Sequence, residues 1–104
     1  MPYIIVKTCM PNERATDAAN KYLEVVEKYP PDEALGKVIL QSAIYVDEDG
    51  IHGLSITEPQ EGKLEEALQR TEQVMVEYLK VPDYRYEIKI WSTVEEALKY
   101  IGMG

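Results

Sequence analysis

The stretch 37-KVILQSAIYVDEDGIHGLSIT-57 decides the fold. Two runs of β-branched and aliphatic residues, Lys37 to Val46 and Ile51 to Thr57, flank Asp47-Glu48-Asp49-Gly50. Acidic residues followed by glycine favour a tight reversal, because Asp tolerates turn geometry and Gly adopts the positive φ that other residues resist. The stretch reads as an antiparallel hairpin. Whether its turn is two or four residues long, odd positions of the first strand face even positions of the second. Tyr45, Ala43, Gln41 and Ile39 then share a face with His52, Leu54 and Ile56. Val46, Ile44, Ser42, Leu40 and Val38 share the other with Ile51, Gly53 and Ser55. Both faces carry aliphatic residues. A sheet with one wet face alternates apolar and polar residues, so this hairpin is expected to need cover on both sides.

Upstream, Tyr3 to Cys9 is rich in β-branched residues and reads as another strand, ended by Pro11. Asn12 is the expected N-cap of a helix that runs to Lys28. Its apolar face is Ala15, Ala19, Tyr22, Val26 and Tyr29, with Arg14, Asp17, Lys21, Glu24 and Lys28 opposite. Pro30-Pro31 stops it. Downstream, Lys63 to Lys80 has helical spacing, with Leu64, Leu68, Thr71, Met75 and Tyr78 on one face, and Pro82 follows. Tyr84 to Trp91 is a fourth strand. Ser92 to Glu95 has the pattern of a capping box and opens a short last helix stopped by Gly102. The order is strand, helix, strand, strand, helix, strand, helix. It predicts one α+β domain over residues 1–104, a ferredoxin-like βαββαβ sandwich with a four-stranded antiparallel sheet.

The chain has 104 residues and a formal charge of -8. A surface this acidic repels nucleic acid and anionic membranes, and the lysines are scattered rather than clustered. Nucleic-acid and membrane partners are therefore not expected. Cys9 is the only cysteine, which excludes an intrachain disulfide. No signal-peptide pattern and no apolar run of about 18 residues occurs, so a reduced, cytoplasmic protein is expected.

Two helices cover one face of a four-stranded sheet, and a second copy of the chain is the simplest cover for the other. In element order and sheet patterning the chain resembles the dimeric α+β barrel superfamily of ferredoxin-like proteins over nearly its whole length. The resemblance implies a homodimer or higher oligomer whose sheets pack face to face around a cavity. It also implies a choice among cofactor-free monooxygenases, lactone isomerases, haem-dependent enzymes and effector-binding domains, which fold alone does not make. The expected function is a binding or structural module with a pocket for a small apolar ligand between the sheets. The alternative is a cofactor-free or haem-using enzyme of monooxygenase or isomerase type.

The chemistry-bearing residues are few. His52 is the sole histidine and falls opposite Tyr45. It reads either as a general base or haem ligand in a cavity, or as a hydrogen-bonded residue near the hairpin end. Tyr3, Lys7, Gln41, Tyr45, His52, Leu54, Ile56 and Trp91 are the expected pocket lining. Glu87 and Lys89 join them if Ile88 and Ile90 face the helices, and could then pair with Lys7. Cys9, at a strand end, is either a reactive thiol or a structural one. One His and one Cys cannot close a zinc site, and the 47–50 turn lacks calcium-loop spacing, so no metal is expected. Nor is a resident cofactor, haem being the one the resemblance allows. The eight tyrosines, with no phenylalanine, divide between core positions (Tyr22, Tyr29, Tyr78) and pocket positions (Tyr3, Tyr45).

Overall fold

Residues 2–103 are described by a computed structural model. The chain runs β1 (Tyr3–Met10), α1 (Ala15–Lys28), β2 (Gly36–Asp47), β3 (Gly50–Pro59), α2 (Leu64–Val76), β4 (Arg85–Trp91) and α3 (Val94–Tyr100). Single 3-10 turns precede α1 at Asn12–Arg14 and follow α2 at Glu77–Lys80. The four strands form one open sheet in the order β2-β3-β1-β4, antiparallel at every junction. This arrangement is consistent with a ferredoxin-like fold.

The sheet centre follows from the sequence. β1 carries Ile4, Ile5 and Val6 in succession, so both its faces shed water, and it lies between β3 and β4. Its even positions Val6 and Met10 join Ala18 and Val25 of α1, Met75 of α2, and Tyr78, Val81 and Tyr84 in the core. Tyr78 and Tyr84 stack there with ring centroids 4.8 Å apart. Tyr86 and Ile88 of β4 pack against the same cluster, which turns Glu87, Lys89 and Trp91 to the opposite face. On the α2 face Met75 and Tyr78 are buried as expected, Leu64, Leu68 and Thr71 are half-buried, and Ala67, not among the expected residues, is buried with them.

Four local expectations are corrected. Asn12 does not cap α1; a 3-10 turn intervenes and no side chain caps either segment. The buried stripe of α1 is Ala18 and Val25, flanked by Lys21, whose side chain is only 12% exposed. Lys21 was expected in solvent, but its methylene stem can cover apolar surface while the ammonium stays wet beside Glu24. The expected apolar residues Ala15, Ala19, Tyr22 and Val26 instead border a cleft of about 930 Å³ between α1 and the hairpin. Finally, the last helix is capped by Thr93 with Glu96, one residue later than Ser92 with Glu95. At its other end the Gly102 and Met103 N–H groups donate to Lys99 and Leu98 carbonyls, with Gly102 at φ 81°. That is the glycine-terminated ending expected.

The hairpin forms as read, with Tyr45 opposite His52 and Asp47 opposite Gly50. Gly50 sits at φ 134°, and a Cβ there would overlap the carbonyl oxygen of Met10. Two irregularities then interrupt β2, between Val38 and Leu40 and between Leu40 and Ala43. Each places one extra residue on β2 and reverses its alternation. Leu40, not Ile39 or Gln41, therefore comes opposite Ile56, and Gln41 and Ser42 border the α1-side cleft.

Candidate functional site

The face of the sheet away from α1 and α2 is organised in rows that cross all four strands. The first row reads Tyr45, His52, Cys9, Arg85; the second Ala43, Leu54, Lys7, Glu87; the third Leu40, Ile56, Ile5, Lys89. Tyr3 and Trp91 pair beyond the third. Seven of the eight expected lining residues thus share one face: Tyr3, Lys7, Tyr45, His52, Leu54, Ile56 and Trp91. Gln41 is the one displaced, by the bulges in β2.

The first row holds the chemistry. The His52 ring lies flat on Tyr45, centroids 4.4 Å apart and planes 7° off parallel. Its Nε2 is 2.9 Å from Asp47 Oδ1, and since a carboxylate only accepts, Nε2–H is the donor. The Asp49 backbone N–H donates to the same oxygen at 2.9 Å. These bonds, led by that of His52, hold the Asp47 carboxyl below its ordinary range. On the other side of His52, Cys9 is its direct cross-strand neighbour, and Arg85 Nη2 donates to Cys9 Sγ at 3.5 Å. A thiol thus lies between a guanidinium and an imidazole that a carboxylate orients. A nucleophile and a base share one row, and the acid that orients the base, Asp47, reaches it from the adjoining turn. Nε2 is committed to Asp47 and one ring face to Tyr45, so His52 does not present Nε2 to a haem iron in this arrangement.

The second and third rows hold the ionic groups. Lys89 Nζ lies 2.7 Å from Glu87 Oε1. The Lys89 hydrogen bond and charge, with a smaller contribution from Lys7, hold the Glu87 carboxyl below its ordinary range. Lys7 Nζ sits 5.4 Å from the Trp91 ring centroid, a cation–π distance. Glu87 therefore pairs with Lys89 along β4 rather than with Lys7 across the sheet, and Lys7 lies beside that pair, over Trp91.

Two participants were missed in the sequence. Arg85 was not singled out, because its closeness to Cys9 depends on the β1–β4 register, 76 residues apart. Asp47 was read as a solvated turn residue, although its five-residue spacing from His52 across a tight hairpin was a usable signal. Among the described residues no group of three or more His, Cys, Asp or Glu side chains is placed to hold a metal ion. No helix among them is long and apolar enough to cross a membrane.

No protein-family model matches the chain, and no curated protein matches it. A crystal structure of the hypothetical protein MJ1052 from Methanocaldococcus jannascii (Form 2) is similar at 19% identity, covering 100% of both chains with a TM-score of 0.33. A likeness at that level assigns neither a family nor an activity.

Proposed function

We propose that this protein is a self-associating binding or structural module. In this reading the face bearing the rows closes on the same face of a second copy, in the manner of a dimeric α+β barrel. A small apolar ligand occupies the space between, lined by Tyr3, Lys7, Tyr45, His52, Leu54, Ile56 and Trp91. The observation that carries the reading is the apolar surface left open on the face away from α1 and α2: Tyr45 and Trp91 are 61% and 48% exposed, Leu40, Leu54 and Ile56 are half-buried, and Ile5 beneath them is already buried within the chain. Contiguous apolar surface of that kind favours burial.

The test is the mass in solution of wild type and Ile56→Glu, read with Trp91 emission. Trp91 is the only tryptophan and lies on the same face. Wild-type protein heavier than the 11.9 kDa monomer, with a lower mass and red-shifted emission in the folded variant, supports the reading. An Ile56→Glu variant whose mass and emission match wild type removes it.

The alternative, an enzyme of the resembling class, is favoured by the Tyr45–His52–Asp47 arrangement with Cys9 alongside. It requires turnover that His52→Ala abolishes while the oligomeric state is kept. Turnover indifferent to that change excludes His52 as its base.

A further inference from the structure

The two edges of the sheet are built differently. β4 carries Arg85, Glu87 and Lys89 at alternate positions, and charges along an edge discourage strand pairing. β2 has one neighbour, β3, and its outer side is open. It is 12 residues long, about 40 Å at the usual rise, well beyond the common strand length. It contains no proline, and its only charges are Lys37 and Asp47, near its two ends. Between them Val38, Ile39, Ile44, Tyr45 and Val46 are 39 to 66% exposed. An edge this long, apolar and uncharged is a template for another strand.

The pattern of β2 also names the strand. Lys37-Val-Ile-Leu-Gln-Ser42-Ala-Ile-Tyr-Val-Asp47 is close to a palindrome in chemical character about Ser42. Set antiparallel to itself around a two-fold axis at Ser42, it places Lys37 opposite the partner's Asp47 and Val38 opposite the partner's Val46. The faces agree at these ends. Lys37 pairs with Glu58 and Asp47 with Gly50, both on the row-bearing face, whereas Val38 and Val46 pair with Thr57 and Ile51 on the helix side. Sliding the axis to Gln41 sets Lys37 against Tyr45, and sliding it to Ala43 sets Asp47 against Ile39. The Ser42 register is thus the one of these three that matches opposite charges. Lys37 forms no ion pair within its own chain among the described residues. We propose that the outer edge of β2 is a homotypic interface, joining two sheets into one of eight strands by antiparallel β2–β2 pairing centred on Ser42. The two bulges of β2 fall beside the axis, so the regular pairs lie toward the ends, where the charge match sets the register.

This interface uses a different surface from the face-to-face contact proposed above, and the experiment keeps them apart. Ile56→Glu serves as the background, since Ile56 lies on the face and not on the outer edge. In that background sedimentation equilibrium is expected to find a concentration-dependent dimer. Adding Lys37→Asp, or separately Asp47→Lys, puts like charges opposite each other twice per dimer and weakens association about tenfold. A 1:1 mixture of those two variants restores the attraction at both ends and recovers the dimer. Circular dichroism melting verifies that each variant folds. Should Asp47→Lys disturb the turn, hydrogen exchange on the Lys37→Asp pair replaces the mixture: β2 amides exchange slowly in the background protein and faster in the variant. An Ile56→Glu protein that stays monomeric up to about 100 μM, well above the Kd of a stable interface, overturns the proposal. So does a mixture no more associated than its components.

Discussion

β1 and β2 are made of the same kinds of residue and meet different fates. In β1, Ile4, Ile5 and Val6 are 1%, 8% and 5% exposed, whereas in β2 Ile44, Tyr45 and Val46 are 66%, 61% and 63% exposed. β1 has a strand on each side and the α1–α2 core beneath it. β2 has one neighbour, an open cleft on its helix side and no covering helix on the other. Composition states that a strand must be covered. Its place in the sheet states whether its own chain does the covering, and for β2 its own chain leaves these side chains exposed.

The sharpest way to break that contrast is to truncate an isoleucine in each strand. Ile4→Ala is expected to cost about 3 to 4 kcal/mol in urea unfolding, the usual penalty for a filled core site. Ile44→Ala in dilute protein is expected to stay within about 0.5 kcal/mol. Equal losses would mean that β2 is already covered in solution, and a loss at Ile44 that appears only at high concentration would locate the cover in a second copy.

The next effect is at the join between the two regions. Gly50→Ala is expected to cost about 2 to 3 kcal/mol, from a strained positive φ and overlap with the Met10 carbonyl. A melting temperature unchanged from wild type would show that the hairpin moves independently of β1.

Two pH responses separate the regions more finely. In the inner half, burial first, then Tyr84 and Tyr22, push the Tyr78 hydroxyl above its ordinary 10.0. The fold favours the neutral phenol, so this contribution is intact below about pH 10 and is lost as pH rises beyond it. Tyr78→Phe is expected to flatten the alkaline limb of a stability–pH curve. In the outer half, the His52 hydrogen bond lowers Asp47 from its ordinary 3.8. That contribution is present above about pH 4 and fades as pH falls through the lowered value. Asp47→Asn is expected to remove a small part of the acid limb, the least of these effects because the carboxylate is exposed.

Much of this was written locally. The hairpin and the sequence limits of the strands came from short-range alternation and turn residues, whereas the facing of β4 is settled only by Tyr86 and Ile88 packing on the core. What escaped needed information held elsewhere in the chain. The bulges in β2 carry no glycine or proline to announce them, so a strict period of two placed Gln41 on the wrong side. The stripe of α1 was misplaced because Lys21 counts as polar by name, although its side chain is only 12% exposed. The helix cap was ambiguous by one residue, since Ser92 with Glu95 and Thr93 with Glu96 satisfy the same pattern. In the site, Tyr45 with His52 followed from the hairpin alone. Cys9 beside Arg85 depends on strands brought together only by the whole fold.

The fit of Gly50 beneath the Met10 carbonyl also bears on how this molecule can be altered. The tip at Glu48-Asp49 is acidic and outward, the sort of place where a tag or foreign peptide is usually grafted. Here the reversal is riveted to the neighbouring strand, and added length would pry at that rivet and at the Asp47–His52 bond together. The 30–34 connection is no freer a seam, since Arg70 donates to the Pro30 carbonyl and Gln60 to that of Glu33, which moor it to α2 and to the end of β3.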